Sequence, residues 1–205
     1  MPYDARCELR VPGDKSITHR ALMLAALSRG SSRLSGLLPA ADTQSTAAVL
    51  RGLGVRLPPI PEDGAPIAIA GHGLRPFRQP AGPLDCGNSG TTARLMLGLL
   101  AGHPLRAVLT GDDSLRSRPM RRVTEPLSSM GARFTELGEP DRLPIEVEGG
   151  PLRPIQYASP RASAQVKSAL LLAGLTGGVR VEVSEPVHSR DHTERMLRAM
   201  GVHLT

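Results

Sequence analysis

Residues 47–55 read AAVLRGLGV, which is the pattern of a short amphipathic helix that ends in glycine and releases the chain into an extended segment. The pattern returns as PLSSMGA at residues 126–132 and as RMLRAMGV at residues 195–202. The closing glycines lie 77 positions (131 − 54) and then 70 positions (201 − 131) apart, and they are Gly54, Gly131 and Gly201. Each fits a left-handed helix C-cap, where glycine has no steric penalty. The sequence therefore contains three copies of one supersecondary unit.

A second helix precedes the amphipathic helix in each copy, and it is rich in Ala, Leu and Met on nearly all sides. These helices are expected at about residues 16–29, 90–101 and 163–175. Helices that are apolar all round are buried. Strand patterns fill the intervals, among them residues 107–110 and 179–183, and the pairs 55–57 with 67–69 and 132–135 with 145–147. Each unit therefore reads β-α-β-α-β-β.

The repeat predicts an α/β (α+β) fold with buried parallel helices enclosed by sheets around an approximate three-fold axis. It disfavours a doubly wound sheet. We expect units at about residues 12–75, 76–150 and 151–205. The third unit is incomplete, because only residues 202–205 follow its amphipathic helix and a half-made sheet would leave an open edge. We therefore expect the 205 residues to be part of a longer protein.

The composition restricts the classes of function. The net charge is +6, but the cations are scattered and aromatic residues make up only 2% of the chain, which disfavours binding to nucleic acid. Cys7 and Cys86 are isolated and lack the spacing of metal ligands. The first ten residues are polar and no stretch is long enough to span a membrane, so we expect a cytoplasmic protein with reduced, inert cysteines and no metal.

Residues 12–20, PGDKSITHR, stop an extended segment and open the first buried helix. Ser16 stands where an N-cap is expected, and Arg20 follows it by four residues, on the same helix face. Together with Lys15 and the free N–H groups of the helix end, these side chains would suit a phosphate or a carboxylate. An ordinary capped helix with two surface cations explains the same residues.

Two further segments also place small polar residues or arginines just before an expected helix. Residues 84–94, LDCGNSGTTAR, break at a glycine-rich turn before the second buried helix, and Gly90 would let a ligand approach the helix end closely. Residues 111–120, GDDSLRSRPM, place Arg118 before a helix that we expect to start at Pro119. Taken alone, each segment is explained as well by a capped helix start.

The third buried helix opens with Ser163 as its expected N-cap, followed by a polar Gln165. Near the end of the chain, Asp191 and Glu194 match a capping box, which leaves Arg190 without a structural explanation, and His192 is expected at the surface. If the three buried helices are parallel, all these helix starts share one end of the domain.

Taken in series, these five motifs resemble the 5-enolpyruvylshikimate-3-phosphate synthase family. The similarity runs from about residue 9 to the end of the chain and corresponds to the amino-terminal half of the family's two-domain protein. The resemblance implies the enolpyruvyl transferase fold. Residues 1–11 would then be a strand that belongs to, or leads from, the other domain, and residues 12–205 would form a substrate-binding domain.

The resemblance also implies a reaction, the transfer of the enolpyruvyl group of phosphoenolpyruvate to the 5-hydroxyl of shikimate 3-phosphate, with release of phosphate and no cofactor. The implied catalytic residue is Lys15. The implied ligands of shikimate 3-phosphate are Lys15, Ser16, Arg20, Ser163, Ala164, Gln165 and Arg190. Those of phosphoenolpyruvate are Lys15, Gly90, Arg118 and Gln165. Many members have a second serine at the place of Ala164, so that phosphate contact would be weaker here.

In this family a carboxylate that acts on the 5-hydroxyl, and further arginines, come from the other half. We therefore expect this chain alone to bind substrate but to be inactive, and to be a monomer that completes its site with a carboxy-terminal domain. Two alternatives are a UDP-N-acetylglucosamine enolpyruvyl transferase and a non-catalytic domain that binds phosphorylated metabolites. The former would be expected to carry a reactive cysteine in a Gly/Pro-rich loop, which Cys86 does not occupy.

Overall fold

The computed structural model describes residues 11–205, so Cys7 and nearly all of the expected strand at residues 1–11 lie outside the described residues. Within the described range the helices are α1 (Lys15–Leu27), α2 (Ala41–Gly52), α3 (Gly90–Ala101), α4 (Asp113–Arg116), α5 (Arg121–Ser129), α6 (Ala164–Gly177) and α7 (His192–Ala199). The strands are β1 (Arg29–Leu34), β2 (Ile67–His72), β3 (Leu84–Asp85), β4 (Arg106–Thr110), β5 (Arg133–Glu136), β6 (Ile145–Glu148), β7 (Ile155–Ala158) and β8 (Val181–Ser184).

The middle of the chain shows the expected element order in full. It runs β3-α3-β4-α5-β5-β6, with the short helix α4 inserted before α5. Its four strands form one sheet in the order β3-β4-β6-β5, where β3 is parallel to β4 and the other neighbours are antiparallel. The flanking parts have smaller sheets, β1 antiparallel to β2 and β7 parallel to β8.

The expected strand at residues 55–57 is absent, and that prediction was wrong. The main chain there is bonded to helix α2 instead of to a strand. The N–H of Val55 donates to the carbonyl of Leu50, and the Arg51 Nε donates to the carbonyl of Leu57 over 2.8 Å. Val55 and Leu57 are nevertheless buried, so their apolar pattern reflects core packing rather than a sheet.

The buried helices α3 and α6 lie side by side and parallel. Thr91 and Gln165 are in contact near their N-terminal ends, and Gly102 meets Thr176 near their C-terminal ends. Between these points a Cβ on Gly98 would lie only 2.2 Å from the carbonyl oxygen of Ala169. The helices therefore touch through their backbones, which only glycine allows at position 98. Helix α1 joins them through a bond from Arg20 to Ser168.

The three repeat glycines behave as the sequence predicts. Gly54, Gly131 and Gly201 have φ of 89°, 113° and 83°, and each follows the end of an amphipathic helix. After the last of them, residues 202–205 form no strand. Among the described residues, no helix is both long and apolar enough to cross a membrane.

Candidate functional site

Helix α1 begins one residue earlier than its expected cap. Asp14 is the N-cap, because its carboxylate accepts a hydrogen bond from the N–H of Ile17 over 2.7 Å. The prediction that Ser16 caps the helix was wrong. Ser16 lies in the first turn, and its Oγ accepts a bond of 2.7 Å from Arg20 Nη1 and lies 2.9 Å from His192 Nδ1. The spacing of Ser16 and Arg20 on one face is confirmed.

Arg20 is buried beneath this turn, and most of its donors are satisfied inside the protein. Its Nε donates to Thr193 Oγ1 over 2.6 Å, and its Nη2 donates to Ser168 Oγ over 2.7 Å. Its Nη1 donates to both the carbonyl and the hydroxyl of Ser16. Burial lowers the pKa of Arg20, while the negative charge of Glu194 opposes that shift. Among the described residues 11–205, one N–H of Arg20, on Nη2, has no acceptor.

The end of the chain is arranged differently from the prediction. Asp191 is the N-cap residue of α7 but makes no side-chain capping bond, so the predicted capping box with Glu194 is wrong. Glu194 instead accepts a bond of 2.8 Å from the ammonium of Lys167 on α6. This charge-assisted bond is stronger than a bond from a neutral backbone N–H at the helix cap. His192 was expected at the surface, but it is half-buried beside Ser16. Sequence spacing does not reveal partners 25 or more positions away.

Helix α6 starts as predicted, with Ser163 as its N-cap. The hydroxyl oxygen of Ser163 accepts a long bond of 3.4 Å from the N–H of Val166, and the N–H of Ser163 donates to Glu185 over 2.8 Å. Ala164 is the first residue of the helix and brings no polar group. Arg190 is exposed in the segment between β8 and α7, and its charge contributes to the lowered pKa of Arg20.

At the start of α3, Ser89 is the N-cap and Gly90 is the first helical residue. A Cβ on Gly90 would lie 2.5 Å from Arg94 Nη1 and 3.5 Å from Arg118 Nη1, so two guanidinium groups occupy the space that glycine leaves open. Arg118 is half-buried and donates to Asn88 Oδ1 over 2.6 Å. Asn88 is itself held by a bond of 2.9 Å to Asp112.

Gln165 joins this region to α6. Its Nε2 donates to Thr91 Oγ1 over 3.0 Å, and its Oε1 accepts from Arg94 Nη1 over 3.2 Å and from Arg122 Nη2 over 3.4 Å. Burial, together with the nearby charges of Arg122 and Arg118, lowers the pKa of Arg94 to about 10, while the charge of Asp141 opposes that shift. We call Arg94, Arg118 and Arg122 the arginine cluster. Within residues 11–205, none of the three forms an ion pair with a carboxylate.

Sequence reasoning missed two members of this cluster. Arg94 lies within the second buried helix that the sequence predicts, but the sequence offers no reason to assign it a role, and Arg122 was not singled out as a site residue. The predicted helix start at Pro119 was also wrong, because α5 begins at Arg121. Asp141, in the turn between β5 and β6, accepts bonds from the N–H groups of Met120 and Arg121 and so takes the place of a local cap. Such a cap from a distant segment leaves no local signal in the sequence.

A chain of buried side chains connects α1 to α3 through α2. His19 Nδ1 lies 2.6 Å from Thr46 Oγ1, which lies 2.6 Å from Thr92 Oγ1, and Thr92 donates to Ser89 Oγ over 2.7 Å. Burial lowers the pKa of His19 to about 4, so the ring is neutral at pH 7. Nearby, the ammonium of Lys15 lies 2.9 Å from Asp42 on α2, and the Lys15 side chain is 55% exposed.

The helix starts thus converge, as the parallel arrangement predicts. Ser16, Arg20, Ser168, His192 and Thr193 form what we call the hydroxyl cluster, and the arginine cluster with Gln165 lies at the adjoining ends of α3 and α6. Three helix N-termini, exposed cations and free hydroxyl groups favour anionic ligands. The structure brings Arg118, Gly90 and Gln165 together, and likewise Ser16 and Arg20. Within residues 11–205, Lys15 bonds to Asp42 and to none of the other predicted site residues.

Comparison with known proteins agrees with this arrangement. The family model of EPSP synthase (3-phosphoshikimate 1-carboxyvinyltransferase) matches residues 2–205. The chain belongs to the EPSP synthase family. A solved EPSP synthase from Acinetobacter baumannii superposes with a TM-score of 0.87 at 44% identity, covering 94% of this chain and 44% of that one. The fold is therefore the α/β enolpyruvyl transferase fold that the sequence predicts, and the predicted family is confirmed.

Curated relatives in the EPSP synthase family give the same result. A 3-phosphoshikimate 1-carboxyvinyltransferase from Gloeobacter violaceus is 59% identical over 195 residues, which are 95% of this chain and 45% of the relative. The protein of that name from Thermus thermophilus is 56% identical over 200 residues, which are 97% of this chain and 46% of the relative. The chain spans somewhat less than half the length of these relatives.

Proposed function

We propose that this chain supplies the substrate-binding groups of one half of a 3-phosphoshikimate 1-carboxyvinyltransferase. The observation that carries the proposal is the convergence of two distinct anion-binding groups, the hydroxyl cluster and the arginine cluster, at the N-terminal ends of α1, α3 and α6. One reaction with two anionic substrates requires such a pair of adjoining sites.

Shikimate 3-phosphate would lie across the starts of α1 and α6. The hydroxyl of Ser16 and the free Nη2 N–H of Arg20 would meet the shikimate carboxylate and ring. Ser163 and Arg190 would hold the 3-phosphate, since the Ser163 hydroxyl hydrogen has no acceptor within residues 11–205 and Arg190 is exposed. Ala164 would contribute only its backbone N–H at the helix start.

Phosphoenolpyruvate would lie against the arginine cluster. Arg118 and Lys15, whose side chain is about half exposed, would bind its phosphate, with the backbone of Gly90 close by. Gln165, which contacts both α3 and the arginines, would separate the two substrates. Arg94 and Arg122 add to the positive potential of the same place, because neither forms an ion pair with a carboxylate within residues 11–205.

The chemistry needs these charges at defined positions. As the 5-hydroxyl of shikimate 3-phosphate attacks the enol carbon, the methylene carbon takes a proton and a tetrahedral adduct forms. The C–O bond to phosphate then breaks, and the double bond re-forms as a proton leaves the methyl group. Cations already in place orient the two anions and stabilise the charge on the departing phosphate. Lys15 would act at that oxygen.

Calorimetric titration of the 205-residue chain with shikimate 3-phosphate, and with shikimate in parallel, tests the binding. We expect the phosphorylated ligand to bind at least tenfold more tightly, because charge-assisted bonds to phosphate contribute about 1.5–3 kcal/mol each. Arg190→Ala should remove that preference. Arg133→Ala, which truncates an exposed arginine on β5, should not. Equal binding of the two ligands, or binding of neither, would contradict the proposal.

A second assay tests whether the half is sufficient. We expect no release of phosphate when the chain is given both substrates, because the family's carboxylate for the 5-hydroxyl is supplied by the other half. Turnover by the purified chain would overturn this expectation. A cytoplasmic location, a monomeric state and the lack of a nucleic-acid ligand stay predictions from the sequence.

A further inference from the structure

Glu185 lies in the segment that leads from β8 towards Arg190, and its carboxylate collects hydrogen bonds from two separate parts of the chain. Its Oε1 accepts from the N–H of Ser163 over 2.8 Å. Its two oxygens accept from the Ser189 hydroxyl over 3.0 and 2.7 Å, and Oε2 also accepts a long bond from the Ser189 N–H. One nearly buried carboxylate thus joins the start of α6 to the residue before Arg190.

Lys167 completes this group from the next turn of α6. Its ammonium lies 3.0 Å from Glu185 and 2.8 Å from Glu194. Burial acts to lower the pKa of Lys167, but the hydrogen bonds and charges of the two glutamates outweigh it and raise the pKa. Burial would likewise raise the pKa of Glu185, but its bonds from Ser189, Ser163 and Lys167 lower it to about 2. Both groups therefore stay charged at pH 7.

We propose that Glu185, supported by Lys167, is a positioning residue for the phosphate of shikimate 3-phosphate. It does not touch the ligand. It fixes the backbone of Ser163 so that the Ser163 hydroxyl, whose oxygen already accepts from Val166, keeps its hydrogen free for the phosphate. It also holds Ser189 by both of its donors and so fixes the point from which Arg190 extends. This proposal rests on the proposed function.

The geometry explains why a carboxylate can lie beside an anion site. Its oxygens are already occupied by Ser163, Ser189 and Lys167, and the ammonium of Lys167 neutralises part of the negative charge. Hydrogen bonds made to a ligand-binding residue, rather than to the ligand itself, hold that residue in the orientation that binds the ligand. A glutamine at position 185 would either turn its amide N–H groups towards the ammonium of Lys167 or leave the donors of Ser189 without an acceptor.

The test is the ratio of the affinities for shikimate 3-phosphate and shikimate, measured by calorimetry on the 205-residue chain carrying Glu185→Gln. We expect this ratio to fall about tenfold, which is the loss of one charge-assisted bond to a positioned group. The matched control is Glu182→Gln, the same change of charge three residues earlier, where the carboxylate contacts Gln156 and Arg180 instead. A merely structural role would weaken both ligands together and leave the ratio unchanged, which would overturn the proposal.

Amide hydrogen exchange without any ligand separates this proposal from the proposed function. In Glu185→Gln we expect exchange at Ser163 and Ser189 to become at least tenfold faster, while the amides of β8 at Val181 and Val183 keep their wild-type rates. If the wild-type chain binds neither ligand, the proposed function fails and the exchange rates alone decide the positioning. Unchanged exchange at Ser163 and Ser189 would overturn it.

Discussion

The hydroxyl cluster and the arginine cluster both place arginine at the ends of parallel helices, but they balance its charge in opposite ways. Arg20 is enclosed by Ser16, Ser168 and Thr193, with Glu194 near enough to oppose the lowering of its pKa. In the arginine cluster Arg94 donates to carbonyl oxygens and to Gln165, and the neighbouring charges with the largest effect on it are those of Arg122 and Arg118, ahead of that of Asp141.

The difference separates two uses of the same side chain. A guanidinium such as that of Arg20, four of whose five N–H groups bond to the protein, mainly stabilises the fold and has a single N–H to offer a ligand. Guanidinium groups that crowd together without a counter-ion raise the positive potential, and an incoming anion relieves their repulsion. We therefore expect substitutions in the hydroxyl cluster to affect mainly stability, and substitutions in the arginine cluster to affect mainly affinity.

The largest effect is expected for Arg20→Ala. Truncation would leave the hydroxyls of Ser168 and Thr193 with fewer partners, and it would remove the positive charge near Glu194, whose Oε2 is buried and has no hydrogen-bond partner within residues 11–205. We expect the free energy of unfolding to fall by about 4 kcal/mol. Urea denaturation followed by circular dichroism measures it.

The counterpart of that change is Arg118→Ala. Arg118 is half-buried and bonds to the exposed side chains of Asn88 and Ser114, so its loss should cost less than about 1 kcal/mol of stability. Similar losses of stability in both variants would contradict the division between the two clusters.

The second effect depends on pH and concerns His19, in the chain of buried groups between the clusters. The pKa of His19 is about 4 in the folded protein, against an ordinary value of 6.5, so between these pH values the unfolded state binds a proton that the folded state does not. Stability is therefore lost as the pH falls. We expect His19 to account for about 2 kcal/mol of loss between pH 7 and pH 5 and about 3 kcal/mol by pH 4.

Denaturation of wild type and of His19→Gln at pH 7 and pH 5 gives, for each protein, the slope of the free energy of unfolding against pH. The difference between the two slopes measures the contribution of His19. The variant should lose less stability over that interval, and the remaining slope has a source in His103, whose pKa burial also lowers. His72→Gln, which replaces an exposed histidine on β2, should keep the wild-type slope. An equal slope in His19→Gln would show that the ring is not held neutral.

These contacts show which parts of the fold and of the site could be predicted from the sequence. The repeat glycines, the three apolar helices and the Ser163 cap were predictable, because capping and periodicity act over a few neighbouring residues. The cap that Asp141 gives to α5 and the bond between Lys167 and Glu194 were not, because their partners lie 20 or more residues apart in the chain. The buried state of Arg20 was missed for the same reason: a polar residue on an apolar helix shows neither its depth nor its partners.

The smallest effect, and the sharpest test of the arginine cluster, is expected for Gly90→Ala. The added Cβ would lie 2.5 Å from Arg94 Nη1, which is the mobile end of a long side chain. The guanidinium can move away at little cost, so stability should change by less than about 1 kcal/mol. Its bond to Gln165 and its distance to Arg118 would both change, however. We expect phosphoenolpyruvate, titrated in the presence of shikimate 3-phosphate, to bind about tenfold more weakly.

The matched control for that change is Gly82→Ala, because a Cβ on Gly82 meets nothing within 4 Å. It makes the same substitution at an exposed site, so it should alter neither affinity nor stability. If Gly90→Ala left the affinity for phosphoenolpyruvate at the wild-type value, the position of Arg94 would not matter to the anion, and the arginine cluster would act through net charge alone. If it lowered the affinity for shikimate by the same factor, the two clusters would be coupled through Gln165, the side chain that contacts α3 from α6.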